Sequence, residues 1–474
     1  MKIFPTELVR MLGPWRNTSS TLPASLAVGL SALILDGRLP VGIQLPAERV
    51  LAEALGVSRA SVVAALDELR ARQCLRTTHG AGSTVCLPPH TELASLSAWA
   101  AATSTSPAEP AMIDWSAATP TNPPVAVLDA YQQALTRLPF AGTGYSAGGL
   151  VELRVAVADR YTRRGLRTDP DQILVTAGAQ QALSLLVEHK VRPRDRVLVE
   201  TPTYPGMLDV LRAARARLSC VPVEGGWSLT SLRAGLGDPA NRLAYLMPGL
   251  HNPTGQVMSR SQQESVLHSI ASPGPAVILD ETLADLHPPD RPGPLETPDA
   301  SHLLRIGSMS KTVWGGLRVG WVRSDRATAQ LLAQARTRND LGTPVLEQLA
   351  AAAIFDDYDN IVAARRSHLR KAAAQLTDAL GRRIPSLSVS TPSVSPYLWC
   401  RLPSAVNSRV FMAAARQHRL RLIDPAYFNP HGARPDHVRL PLDVAPHNVP
   451  EAVDRLAMAL EASRKNRAAL TASR

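Results

Sequence analysis

Apolar residues recur along this chain with two different rhythms, and the change of rhythm divides it. From Leu22 to Leu87 the spacing is helical. Residues Ala24 to Asp36 place apolar side chains three and four apart and stop at Asp36-Gly37, which predicts a helix. LPAERVLAEAL predicts a second short helix, Gly56-Val57 a tight turn, and SRASVVAALDELRARQ a third helix with Ser58 as its N-cap. On that third helix Val62, Val63, Leu66 and Leu69 are expected to face inward. Two β-like pieces, LRTT and STVCL, flank His79-Gly80-Ala81-Gly82, a segment suited to a hairpin wing.

From Pro88 to Ala111 the chain turns rich in Ala, Ser, Thr and Pro and loses its periodicity, as a linker does. From Met112 onward strand-like apolar runs alternate with helical stretches: ILVTAG, RVLVE, LSCVPV, LAYLMPG, AVILDE, LLRIGSMS and VGWVRS. Such alternation predicts a large, mostly parallel α/β sheet. No repeat at solenoid spacing interrupts it. The expected division is therefore a mainly helical domain over 1–87, a linker over 88–112, and an α/β domain over 113–474.

Composition narrows the setting. With 474 residues the chain is too long for one ordinary domain, which agrees with that division. No apolar run approaches about 20 residues, so no membrane span is expected. The opening MKIFPTELVRMLGPWRN lacks the sustained apolar core of a secretion signal. The four cysteines show no CxxC and no His pair at metal-ligand spacing, which points to a reduced, cytoplasmic protein without a metal site. The net charge of +11 is carried mostly by arginine, since five of the 51 basic residues are lysines. A basic chain suits a polyanionic partner, although genomic base composition also favours Arg over Lys.

The Gly turn between the second and third helices is short enough to hold them steeply crossed, as a helix-turn-helix requires. The third helix would then enter the major groove with Ser58, Arg59 and Ser61 near its N-terminus, while Arg49 in the second helix can reach backbone phosphate. Helix spacing alone is equally consistent with a small bundle carrying solvated arginines. The stretch GIQLPAERVLAEALGVSRASVVAALDELRA, followed by a wing containing Gly80 and Gly82, resembles the GntR family of winged helix-turn-helix regulators over nearly all of the first 87 residues. Gln73-Cys74 departs from the acidic-Gly pair usual there, at the helix exit and away from the reading face.

A lone lysine in a Ser-rich loop is ordinarily a surface residue. Lys311, in IGSMSKTVWGGLRVGW, is accompanied: Ser308, Ser310 and Arg318 offer hydroxyls and a guanidinium beside it. A lysine that forms an imine with an aldehyde cofactor needs such a phosphate anchor and a desolvated pocket that lowers its pKa. ILVTAGAQQAL passes from strand to helix with Gly178, Ala179 and Gln180 at the helix start, where backbone N–H groups receive phosphate. Tyr204 in VETPTYPG could lay its ring over a flat heteroaromatic, or be a core tyrosine. Asn252 in LMPGLHNPTGQ could donate to a phenolate oxygen. Asp280 ends the buried run AVILD, a costly place for a carboxylate unless it meets a cation or a protonated ring nitrogen.

In that order, GAQ, PTY, HNPTG, strand-Asp, SxSK and Arg resemble the fold-type I pyridoxal 5'-phosphate (PLP) enzymes of the aspartate aminotransferase class, over roughly residues 113–474. The resemblance implies that fold, with a mostly parallel sheet and a smaller C-terminal α/β subdomain, and PLP as cofactor. It implies that Lys311 is the catalytic lysine forming the internal aldimine, that Asp280 pairs with the pyridine nitrogen, that Asn252 binds O3' and that Tyr204 stacks on the ring. Gly178, Ala179, Gln180, Ser308, Ser310 and Arg318 would hold the phosphate. Tyr145, in TGYSAGGL, matches a tyrosine that reaches a neighbouring subunit's phosphate, and Arg439, in HVRLPL, one that grips a substrate or effector carboxylate. One departure matters: Thr282 and Leu283 stand where a tyrosine commonly donates to O3'.

A GntR-type head joined to an aminotransferase-like domain resembles the MocR subfamily of bacterial regulators. That resemblance implies a PLP-responsive transcription regulator binding double-stranded promoter DNA as a head-to-tail homodimer, with an amino acid or amine as a further effector and no membrane contact. The alternatives are a catalytically active aminotransferase with an accessory DNA-binding domain, and a plain DNA-binding module whose large domain only dimerises.

Overall fold

A computed structural model of the chain describes residues 3–13, 15, 21–35, 39, 43–71, 74–78, 82–86, 112–140, 142–223, 225–270, 274–287, 302–390, 394–403, 406, 408–430 and 436–472. It divides into two compact units, Met1–Thr105 with Ala462–Arg474, and Ser106–Glu461. The expected linker lies outside the described residues except for Met112.

Among the described residues of the first unit, four helices precede a hairpin: α1 (Pro5–Leu12), α2 (Leu22–Leu35), α3 (Glu48–Leu55), α4 (Arg59–Ala71), then strands β1 (Leu75–Thr78) and β2 (Gly82–Val85), which pair antiparallel. α2, α3, α4 and the hairpin match the elements that periodicity predicts, while α1 adds one more. Leu8, Leu26, Leu30, Leu51, Leu55, Leu66 and Val85 close a common core. α4 presents Val62, Ala65, Leu66 and Leu69 to it, and Val63 is only partly buried. That corrects the expected inward face: 62, 65, 66 and 69 share one stripe of a 3.6-residue helix, and position 63 is turned about 100° away from position 62.

The second unit opens with β3 (Ile113–Trp115) and is built on a seven-stranded sheet of β4 (Ile173–Thr176), β5 (Arg196–Thr201), β6 (Arg217–Pro222), β7 (Asn241–Leu246), β8 (Ala276–Asp280), β9 (Leu303–Ser308) and β10 (Gly320–Arg323). These are the seven apolar runs read from the sequence. Their order is β4-β10-β9-β8-β7-β5-β6, and β10 alone runs against its neighbours. Strands covered on both faces must be apolar throughout rather than alternating, and β4 and most of β5, β7, β8 and β9 are buried residue after residue. A smaller C-terminal part holds an antiparallel sheet of β11 (Ser388–Ser390), β12 (Tyr397–Arg401) and β14 (His437–Pro441), and pairs β13 (Leu420–Leu422) parallel with β3. The 26-residue helix Tyr358–Arg383 leads into it. Among the described residues no helix is long and apolar enough to cross a membrane, and no cluster of His, Cys, Asp or Glu could hold a metal.

One consequence of the strand order locates the site. β4, β5, β7, β8 and β9 point the same way, so the residues that follow them collect at a single edge of the sheet. The C-terminal edge of a parallel sheet is where ligands bind in open α/β folds.

Candidate functional site

The reading surface of the first unit is set by a three-residue junction. Gly56 caps α3 in the left-handed conformation (φ 62°), and its N–H and that of Val57 return to the carbonyls of Glu53 and Ala52 at 3.2 and 3.1 Å. A side chain there would be strained, so glycine fixes the steep entry into α4. Ser58 caps α4 as expected: its Oγ accepts from the Ser61 amide at 3.1 Å and meets the Ser61 hydroxyl at 2.8 Å. Arg49, Ser58 and Arg59 are exposed and Ser61 partly so. Arg59 pairs weakly with Glu48 at 3.4 Å. Gly82 begins β2 at φ 85°, and a Cβ there would come within 2.8 Å of the Gln44 amide nitrogen. Gly80 lies outside the described residues. The sequence reading missed Arg70, which donates to Thr77 Oγ1 (2.8 Å), to Ser83 Oγ (3.1 Å) and to Asp67, tying α4 to both strands of the hairpin. Its only signal was a basic residue in the last turn of α4.

In the second unit the anticipated residues stand at the sheet edge. Gly178 (φ 78°, ψ 171°) ends the turn after β4 and is the N-cap of the helix Ala179–Lys190. The first amides of a helix have no partner within it, so those of Ala179 and Gln180 are available to an anion. The Arg318 guanidinium lies against the same turn, with Nη2 donating to Ala177 O at 2.8 Å and standing 2.7 Å from where a Gly178 Cβ would be. A Cβ on Gly320 would fall 2.7 Å from the Gly178 carbonyl carbon, so two glycines let these segments touch. The Gln180 side chain is otherwise engaged, donating to Gly206 O at 3.0 Å and accepting from the Tyr204 hydroxyl at 3.1 Å. Its amide, rather than its side chain, is what it offers a phosphate. Ser308 Oγ turns to Val319 O (3.1 Å) and Ser310 Oγ (3.0 Å), which folds the lysine loop back on itself.

Lys311 Nζ donates to Ala118 O at 2.8 Å. Its amine is pulled down to about 8 by burial, by Arg439 and, to a lesser degree, by Arg365 and Arg318, with Asp443 pulling the other way. Asp280, 6% exposed at the end of β8, accepts from Thr282 N (2.9 Å), Thr282 Oγ1 (2.6 Å) and Tyr245 OH (2.5 Å). Burial pushes its pKa up and these donors oppose that. All three donors are neutral. Leu283 is buried at 5% exposure, so the family's hydroxyl is absent at that position.

Arg439 on β14 is 2% exposed, its guanidinium over the rings of Phe428 (5.0 Å) and Tyr397 (5.3 Å). Nη2 donates to Ser116 O at 2.7 Å and Nη1 reaches Asn252 Oδ1 at 3.5 Å, while Nε is buried without a hydrogen-bond partner. Burial lowers its pKa to about 10, opposed by Tyr397 and Tyr204. An amide oxygen held by a guanidinium leaves the Asn252 NH2 as the group free to donate. Tyr145 is 75% exposed on a loop held by the Ser146–Gly342 bridge. Residues 116–121 lace the pocket together, because Ser116 O serves Arg439, Ala118 O serves Lys311, Thr119 Oγ1 bonds Ser310 O (3.2 Å) and Thr121 Oγ1 bonds Asp443 O (3.3 Å). None of these four was legible as functional.

The donor set fits PLP. A guanidinium and free helix amides converge over a glycine turn, a buried carboxylate meets only neutral donors, and a lysine with a lowered pKa lies among three arginines. A dianionic phosphate and a protonated ring nitrogen complement each of these.

Residues 110–456 match the family described as aminotransferase class I and II, and residues 24–85 the bacterial regulatory proteins of the gntR family. An uncharacterized HTH-type transcriptional regulator of Bacillus subtilis, YisV, is 26% identical over 87% of this chain and 90% of its own length. A 2-aminoadipate transaminase of Thermus thermophilus is 28% identical over 66% of this chain and 80% of its own. Among solved structures, the alpha-aminoadipate aminotransferase LysN of Thermus thermophilus superposes with a TM-score of 0.65 at 24% identity, covering 76% of this chain and 93% of that one, which shows the fold.

Proposed function

Because the chain belongs to the aminotransferase class I and II family and carries a gntR-type DNA-binding domain, we propose that it is a MocR-like transcription regulator whose binding to promoter DNA responds to PLP held at Lys311. The observation that carries this reading is the union in one chain of a capped reading helix, with Ser58 and Arg59 exposed beside Arg49 of the preceding helix, and a pocket fitted to the cofactor whose lysine amine is half-neutral near pH 8. Residues 1–87 act as the reading head, 88–112 as its tether and 113–474 as the sensor.

When bound, the cofactor supplies an aldehyde that reacts with amines and a protonated ring that withdraws electrons. The chain's own residues do the rest. Arg318 and the amides of Ala179 and Gln180 would receive the phosphate dianion, with the hydroxyls of Ser308 and Ser310 in the neighbouring loop. Asp280, whose three donors favour its carboxylate form against the effect of burial, would accept from the ring nitrogen. Asn252 would donate to the phenolate oxygen, Tyr204 would cover the ring, and Lys311 would offer its neutral amine to the aldehyde. Arg439, with a buried nitrogen unpaired, receives the carboxylate of an amino-acid effector.

A homodimer is supported by an apolar stripe on the helix Val125–Arg137, where Val125 and Leu128 are exposed three residues apart and Leu135 seven further on, followed by Phe140 at 88% exposure. Tyr145, close by in sequence, is exposed in one chain as a residue completing a partner's phosphate site would be. The reduced cysteines fit a cytoplasmic setting.

A second reading, a working aminotransferase with an accessory head, is favoured by the assembled Lys311, Asp280, Asn252 and Arg439 and by the transaminase relative. Thr282 and Leu283, in place of the tyrosine, weigh against it. The deciding experiment is footprinting on the protein's own upstream region with and without PLP, for wild type and Lys311→Ala. Wild type should show a PLP-dependent footprint that the variant has lost. A footprint identical in all four samples, or rapid stoichiometric turnover of an amino acid with a keto acid and no footprint, would reject the sensing role.

A further inference from the structure

Arg365, on the helix Tyr358–Arg383, and Asp443, two residues beyond β14, form a two-pronged ion pair: Nη1 donates to Oδ1, and Nη2 to Oδ2 at 2.6 Å. Their side chains are 8% and 2% exposed. The third nitrogen of the same guanidinium, Nε, donates to the main-chain oxygen of Lys311 at 3.2 Å. Asp443 is tied in turn by its carbonyl, which accepts from Thr121. The planar fork thus has all three nitrogens committed, two to a carboxylate and one to the residue that bears the reactive amine. A lysine in place of Arg365 could not span both.

Stability alone is a weak reason for such a pair, because removing two charges from water costs about as much as their attraction returns, and an apolar pair would pack there as well. Position supplies a better one. The Lys311 amine is faced by Arg439 from β14, Asp443 beyond it, Arg365 from the long helix and Arg318 from its own loop. Arg365 disfavours the ammonium and Asp443 favours it. The other face of the pair lines a cavity of about 820 Å³ with Asn122, Asn360 and His447, so water reaches the neighbourhood and a broken pair would be felt.

We propose that Arg365 and Asp443 are positioning residues for Lys311: a closed ion pair that fixes the lysine's main chain and cancels its own charge at the amine, leaving Arg439 and Arg318 to set the pocket's field. The proposal rests on Lys311 being the cofactor-bonding residue, but its test needs no cofactor. The rate at which a small acylating reagent modifies Lys311 in the full-length protein is followed against pH by peptide mass spectrometry, with Lys190 and Lys371 as internal references. Asp443→Asn should move the midpoint down by about one pH unit and Arg365→Gln up by about as much, while Arg365→Gln/Asp443→Asn returns to within about 0.3 of wild type. Single variants that shift the midpoint in the same direction, or not at all, overturn the proposal. If one single variant does not fold, a double variant displaced as far as the remaining single one overturns it equally. Wild-type protein that fails to take up PLP would instead sink the cofactor reading and leave this result intact.

Discussion

Tyr245 on β7 donates its hydroxyl to Asp280 on β8 at 2.5 Å, and the two residues stand on neighbouring strands of the sheet edge where the cofactor residues gather. Thr282 and Leu283 stand where the family commonly has a tyrosine, while Tyr245 and Thr282 serve the carboxylate itself. Burial raises the pKa of this carboxylate and its three donors oppose that, favouring the charged form that a protonated ring nitrogen would meet.

Tyr245→Phe removes one of those donors. The cofactor-free protein should lose about 1–3 kcal/mol of stability in urea denaturation, the cost of leaving a buried acceptor short. The loss should be smaller after PLP is bound, because the ring nitrogen supplies a donor. Equal losses in both forms would disconnect Tyr245 from the ring.

Cofactor uptake should follow the Lys311 amine. With the group at about 8 rather than 10.5, the reactive neutral form is about a tenth of the population at pH 7, against about one part in three thousand for an ordinary lysine. Capture followed by the growth of visible absorbance should therefore level off above about pH 8 and slow tenfold per unit well below it. A rate still climbing at pH 10 would show an unperturbed amine.

Arg318→Ala should weaken PLP binding by about ten- to a hundredfold, the worth of a charge-assisted contact of about 1.5–3 kcal/mol, and should weaken uptake of pyridoxal without phosphate far less, since there Arg318 acts only through its charge near the Lys311 amine. Gly178→Ala should do the same by displacing the guanidinium, since its methyl would stand 2.7 Å from Nη2. Equal losses for both vitamers would assign Arg318 a purely structural part.

At the reading head, Arg49→Ala should weaken binding evenly across sequences and lower the slope of log affinity against log salt by about one, as the loss of a single phosphate contact does. Ser58→Ala should instead cost about 1 kcal/mol of stability through the lost cap, visible in thermal unfolding without DNA. An unchanged salt slope in the first variant would remove Arg49 from the interface.

Much of the site was readable because each of its motifs sits at the end of an apolar run. GAQ follows β4, PTY follows β5, HNPTG follows β7, Asp280 closes β8 and SxSK follows β9. The partners that hold those motifs were not readable. Tyr245 is an aromatic in an apolar strand, Arg365 lies on a helix with many arginines and Asp443 in a loop, and nothing local marks any of them. Arg70 was hidden in the same way, as were β3 and β13, which pair across some three hundred residues. Val63 was misplaced because an apolar side chain beside the stripe was counted as part of it.

From the residues alone came whatever depends on neighbours in the chain: the helices of the head, the seven buried strands, the Gly56 turn and the lysine loop, because backbone geometry ties those to short-range spacing. Folding decided which of the strand ends met. Only the order β4-β10-β9-β8-β7-β5-β6 sets Arg318 against Gly178, and only the packing of the long helix brings Arg365 to the carbonyl of Lys311. Burial, and after it charge acting through space, pay no regard to sequence distance, so the lowered pKa of that lysine belongs to the tertiary structure.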